Sequence, residues 1–80
     1  MKTIAIRYYA VLREERGCST ETVETAAGTA RELYEELRQR HGLRLPPERV
    51  KAAINDEVRS WQTVLNDGDS VAFLPPVAGG

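Results

Sequence analysis

Between Thr29 and Gly42 the chain carries its one strong helical period, and that segment limits what the rest can be. Thr29 and Glu32 form a T-x-x-E capping box, in which hydroxyl and carboxylate satisfy backbone donors at a helix start. Ala30, Leu33, Tyr34 and Leu37 then fall at i, i+3, i+4 and i+7, making a single apolar stripe. Arg40 and His41 stand at the negative end of the helix dipole, and Gly42 is placed to close the helix in a left-handed conformation. A lone amphipathic helix with one apolar face needs a layer to bury it, and the flanking segments supply strands.

Thr3 to Tyr9 alternates Ile4, Ile6 and Tyr8 with Ala5, Arg7 and Tyr9, a strand period of two. Ala10 to Arg16 reads as a short helical turn closed by Gly17, and Ser19 to Thr25 as a second strand paired with the first in a hairpin. After the helix, Leu43 to Arg49 contains Pro46-Pro47 and reads as a loop. Strand alternation resumes at Val50 to Ile54, with Val50, Ala52 and Ile54 inward and Lys51 facing solvent. Asn55-Asp56-Glu57 is a turn from which Val58 to Gln62 pairs back, and Trp61 suits either a core filler or an edge anchor. Asn66-Asp67-Gly68-Asp69 forms another turn with positive φ at Gly68, and Ser70 to Leu74 is the last strand. Two strands, one main helix and a return of strands give an α+β fold with a mixed sheet packed against one helix. The crossover lets the first and last strands lie side by side at the centre, which is a β-grasp.

The size and charge of the chain remove several function classes. Eighty residues form one small domain with one modest core. Eleven Lys and Arg against twelve Asp and Glu leave a net charge of -1, without the basic excess of a nucleic-acid binder. Arg31, Arg38 and Arg40 alternate with Glu32, Glu35 and Glu36 as a solvated helix face. The single cysteine, Cys18, has no disulfide partner and cannot build a thiolate metal site; in its Gly17-Cys18-Ser19 turn it reads as a solvent-side thiol. His41, the only histidine, reads as a capping or solvated residue rather than a catalytic base. No stretch is apolar and long enough to span a bilayer and no leader pattern opens the chain, so the expected compartment is the cytoplasm and no membrane contact is expected.

The last strand runs without a polar linker into Pro75-Pro76-Val77-Ala78-Gly79-Gly80. Proline cannot donate to a sheet ladder and fixes φ, so Pro75 and Pro76 end the strand and project a stiff stalk. Gly79 and Gly80 have no Cβ and pass through a channel too narrow for other residues. The group delivered there is the Gly80 α-carboxylate, which makes residues 1–74 a body and 75–80 an extended tail. Apolar residues on the open sheet face beside that tail, Tyr9, Val58 and Leu74, with Arg13 at the rim, are either a docking surface or ordinary core.

Tyr8-Tyr9-Ala10-Val11-Leu12-Arg13-Glu14, then Ala52-Ala53-Ile54-Asn55, then Leu65 through Gly80 with its D-G-D turn, Pro-Pro and Gly-Gly, resemble the small subunit of molybdopterin synthase, a ubiquitin-like sulfur carrier. The resemblance runs over essentially the whole chain. It implies a ubiquitin-like β-grasp whose C-terminal glycine is adenylated, converted to a thiocarboxylate, and used to donate sulfur to a pterin precursor in molybdenum cofactor biosynthesis. It implies no bound cofactor, with ATP consumed by an adenylating activating enzyme, and a large catalytic subunit as partner in a heterotetramer. The chain is then a sulfur-donor subunit, not catalytic alone, in which Gly80 carries the sulfur and Pro75, Pro76, Val77, Ala78 and Gly79 thread into the partner. Gly-Gly alone also suits a carrier for thiamine synthesis or tRNA thiolation, or a ubiquitin-like protein modifier; the proline pair favours the molybdenum branch. A β-grasp binding module whose tail does no chemistry is the reading from another class. Tyr8-Tyr9 and Leu74 stand where relatives often carry phenylalanine, and Asn55-Asp56-Glu57 replaces a turn that often contains glycine; both bear on partner affinity rather than on the terminus.

Overall fold

The computed structural model describes residues 1–76. Its elements are β1 (Lys2–Tyr8), α1 (Ala10–Arg16), β2 (Thr20–Thr25), α2 (Ala30–His41), a 3-10 turn (Pro47–Arg49), β3 (Lys51–Ile54), β4 (Glu57–Arg59) and β5 (Ser70–Leu74). The five strands form one mixed sheet in the order β2-β1-β5-β3-β4. β1 runs antiparallel to β2 and parallel to β5, so the first and last strands do lie together at the centre. β5 is antiparallel to β3, and β3 to β4. This is the ubiquitin-like β-grasp architecture.

The capping box forms as read: the Thr29 hydroxyl accepts from the Glu32 backbone N–H, and the Glu32 carboxylate accepts from Thr29 and Gly28 N–H. Ala30, Leu33, Tyr34 and Leu37 are all fully buried. They pack on one face of the sheet with Ile4, Ile6, Tyr8, Val71 and Phe73 in a single core. Fully burying each large apolar side chain contributes about 1.5–3 kcal/mol, so this stripe supplies much of the domain's cohesion. Gly42 closes α2 at φ 68°, and its N–H donates to the Arg38 carbonyl.

Two turns set the sheet's register. At the first, the Gly68 N–H donates to the Thr3 carbonyl and the Asp67 carboxylate accepts from the Thr3 N–H, at 2.9 and 2.7 Å. Gly68 sits at φ 89°, as its place in the turn requires. At the second, Asn55 and Asp56 both have positive φ, the two-residue geometry that matches strand twist in a hairpin. The Asn55 side chain then accepts from Ser70 N–H and donates to Asp69, tying the hairpin to the start of β5.

The structure departs from the sequence reading at Pro47–Arg49, at the end of β4 and at Cys18, and it decides between the two readings of Trp61. Pro47 to Arg49 is a 3-10 turn inside the expected loop, because Pro47 suits a first helical position and Arg49 N–H reaches the Pro46 carbonyl. β4 stops at Arg59, and Ser60 to Gln62 turn away, the Ser60 hydroxyl accepting from Gln62 N–H. Trp61 is a filler at the core's margin, stacked near Phe73 and Tyr34 with its indole N–H donating to the Pro47 carbonyl. Cys18 is half-buried against the core rather than facing solvent. Among the described residues no helix is long and apolar enough to cross a membrane.

Replacing Thr29 with Ala removes one half of the capping box, and should lower unfolding free energy in urea by about 1 kcal/mol with an unchanged m-value.

Candidate functional site

The chain leaves the sheet from its middle. β5 lies between β1 and β3, with Tyr8 opposite Phe73 on one side and Lys51 opposite Leu74 on the other. Leu74 points to the sheet face that no helix covers, since the buried residues of β5 are Val71 and Phe73. Pro75 and Pro76 follow outside the ladder, Pro75 half-buried and Pro76 exposed. Val77, Ala78, Gly79 and Gly80, on which the expected threading and chemistry fall, lie outside the described residues.

Two grooves flank the proline pair. One, of about 690 Å³, is lined by Tyr9, Ala10, Val11, Leu74, Pro75 and Pro76, with Glu14 at its edge. The other, of about 590 Å³, runs over Glu48, Arg49, Val50 and Lys51 on the opposite side of the same prolines. The first is apolar and rests on α1; the second has charge of both signs. Tyr9 is 41% exposed and Val11 40%, and with Leu74 they form a contiguous apolar lining on that side.

The expected docking residues divide between this groove and its surroundings. Tyr9 and Leu74 line it together. Arg13 stands one recess away, with Arg7, Tyr9 and Thr20. Val58 is 60% exposed on the same open face, in register with Ala53 and, through it, Ala72. It belongs to the edge strand β4, about 14 Å across three inter-strand spacings from β1. Ala10 and Val11 were not singled out from sequence. Only the orientation of α1 brings them in: Leu12 is its one buried side chain, so the adjacent Val11, about 100° around the helix, cannot share that buried face. Ala10 enters α1 at φ 50°, a strained value for a residue with a Cβ, and it does so inside the groove.

The far end of α1 is anchored by a part-buried polar cluster. The Arg16 guanidinium donates to both Glu21 carboxylate oxygens at 3.0 and 2.8 Å, and the Tyr8 hydroxyl donates to one of them. The Arg16 hydrogen bonds, supported by that of Tyr8, hold the Glu21 carboxyl below the usual carboxylate range. Burial, then the Glu21 contact, pushes the Tyr8 phenol well up. His41, read as a capping or solvated residue, does end α2 but is not solvated: its side chain is 18% exposed, and Nε2 is buried without a hydrogen-bond partner. The cluster ties α1 to β1 and β2, so the groove wall is braced from behind. Among the described residues no three His, Cys, Asp or Glu side chains gather as metal ligands.

A model of the family described as the ThiS family matches residues 6–80. The chain belongs to the ThiS family. It is 39% identical to the molybdopterin synthase sulfur carrier subunit of Mycobacterium tuberculosis, over 100% of both chains. Among solved structures, a putative molybdopterin converting factor subunit 1 from Pyrococcus furiosus superposes with a TM-score of 0.80 at 30% identity, covering 96% of this chain and 100% of that one. A complex of subunits 1 and 2 of molybdopterin-converting factor from Helicobacter pylori contains a match with a TM-score of 0.67 at 26% identity, covering 98% of this chain and 99% of that one.

Because the folded Glu21 is a stronger acid than the unfolded one, its contribution to stability is full above the ordinary carboxylate pKa of ~4.3 and is lost as pH falls through the folded value. Glu21→Gln should therefore cost about 1–3 kcal/mol near neutral pH. The loss should shrink on acidification, read as convergence of the two urea midpoints below pH 4.

Proposed function

We propose that the chain is a sulfur carrier for molybdenum cofactor biosynthesis, holding the α-carboxylate of Gly80 out on the stalk that starts at Pro75. The observation that carries this reading is the exit of the central strand straight into two prolines between two grooves, in a chain whose sequence ends Gly79-Gly80. Relatives named as molybdopterin synthase sulfur carrier subunits supply the acceptor, and the Helicobacter pylori two-subunit complex supports a large catalytic subunit as partner.

At neutral pH a terminal carboxylate, with a pKa of ~3.3–3.7, is an anion and a poor acyl electrophile. An activating enzyme joins it to the α-phosphate of ATP, releasing pyrophosphate. A persulfide then attacks the acyl carbon and AMP leaves; a second thiol cleaves the resulting acyl disulfide, which releases the thiocarboxylate and leaves the two thiols joined as a disulfide. In the large subunit the thiocarboxylate sulfur attacks the pterin precursor, water cleaves the acyl–sulfur bond and restores the Gly80 carboxylate, and two such transfers complete the dithiolene. This chain binds no cofactor in the scheme and provides no acid or base. It provides placement, and near-attack geometry accounts for about 7–11 kcal/mol of a barrier. Six extended residues from Pro75 reach at most ~20 Å, enough to enter a deep pocket. Ordering a flexible tail costs ~1–2 kcal/mol per residue, and two prolines with fixed φ lower that cost. Pro75, Pro76, Val77, Ala78 and Gly79 thread into the partner, while Tyr9, Leu74, Arg13 and Val58 meet the partner's surface. The assembly is a cytoplasmic heterotetramer of two small and two large subunits.

Incubation with an activating enzyme, ATP and a persulfide donor should raise the intact mass by the difference between one sulfur and one oxygen. Deleting Gly80, or replacing Gly79 with Trp, should abolish that rise while leaving the melting temperature unchanged. Absence of any mass change in the parent chain counts against carriage of sulfur and for a binding module. Tyr9→Glu should weaken the complex with the large subunit at least ~10-fold, about 1.4 kcal/mol, by calorimetry. A complex of unaltered affinity would remove the apolar groove from the interface.

A further inference from the structure

His41 is the one titratable group of the described cluster that has no partner, and its position gives it a use. It ends α2 with Nε2 3.9 Å from the Glu21 oxygen that also receives the Arg16 Nε–H and the Tyr8 hydroxyl. That carboxylate is already committed: Arg16 from α1 takes both oxygens, and Tyr8 from β1 takes one. A proton on His41 places a second cation against one occupied anion, with Arg16 on α1 and Arg40 on α2 opposing it. Only Glu21 on β2 and the negative end of the α2 dipole favour the charged form.

We propose that protonation of His41 is a release for α1: the imidazolium competes with Arg16 for Glu21 and frees the C-terminal turn of the helix that walls the apolar groove. While the imidazole is neutral, Glu21 belongs to Arg16 and Tyr8 alone. Arg16 then holds Glu21 in bidentate geometry, and Gly17 closes the helix with its N–H on the Arg13 carbonyl. Few other contacts hold α1: Leu12 is its one buried side chain, and Glu15 accepts from the Arg44 backbone N–H at 3.2 Å. Loosening the Arg16 anchor therefore acts on Val11 and Ala10 at the other end of two helical turns. Burial pushes the His41 pKa below its ordinary value, so the neutral form is favoured on folding. The stabilisation is full above ~6.5 and is lost as pH falls through the folded value, which puts the release below the ordinary imidazole range.

The consequence for docking rests on the sulfur-carrier reading, but the release itself is tested on the isolated chain. Amide hydrogen exchange by NMR, corrected for intrinsic pH dependence, should show protection in Leu12–Gly17 falling several-fold as pH is lowered from 7.5 through the titration of the His41 ring. Protection in β1 and β5 should stay unchanged, and the fall should track the titration of the His41 ring signals. His41→Gln, which cannot charge, should remove the pH dependence; the titration of the parent chain gives the same answer if that variant folds poorly. Protection in α1 that ignores the His41 titration, or that falls equally in a folded His41→Gln, would overturn the proposal.

Discussion

Everything functional here depends on the parallel pairing of β1 with β5. Those strands are the two ends of the domain, and joining them is the costliest closure in the chain, because it fixes residues more than sixty positions apart. The turn at Asn66 to Asp69 makes the closure specific. Thr3 exchanges hydrogen bonds with Asp67 and Gly68, and Ala5 N–H donates to the Asp69 carbonyl at 3.1 Å. Once these are made, Ile6 meets Val71 and Tyr8 meets Phe73, and the inward faces of both strands fall on α2. Slipping the pair by one residue would turn Val71 and Phe73 to solvent, so the core enforces the register.

The same pairing places the exit of the chain. Tyr8 opposite Phe73 means that Tyr9 emerges beside Leu74, and α1 begins where the proline stalk begins. A sheet edge would have served the tail poorly, since an edge strand frays and invites pairing with other chains. A central strand is held on both sides up to its last ladder residue, and proline then ends the ladder cleanly because it has no N–H to offer. In the sulfur-carrier reading, that arrangement keeps the entropy lost on entering the partner confined to the last few residues.

Much of this was legible in the residues, for local reasons. The capping box, the apolar stripe and the Asn-Asp-Gly-Asp turn are each complete within a few positions, so α2 and the start of β5 could be read directly. The central pairing of first and last strands followed from topology once a single helix had to be covered. Contacts between residues near in space but not specified by a pattern were not legible. Glu21 looked like one acid among twelve, yet it closes a part-buried bidentate pair with Arg16 because Tyr8 lies under it. His41 looked like a capping or water-facing residue at a helix terminus, yet its Nε2 is buried 3.9 Å from Glu21 of β2. Trp61 was undecidable from sequence because its partners, Tyr34, Phe73 and the Pro47 carbonyl, come from three separate elements. For the candidate site, Tyr9 and Leu74 follow from alternation, whereas Ala10 and Val11 needed the orientation of α1.

The central claim is that the end of this chain is cargo for a pterin. Its most direct test is a reconstitution of the thiocarboxylated chain with the large subunit and the pterin precursor, in which dithiolene product and the state of the chain's terminus are measured together. The account predicts one dithiolene formed for every two chains that return to the plain carboxylate. Retention of sulfur on the chain in the presence of a competent large subunit, or its loss without dithiolene formation, would contradict it.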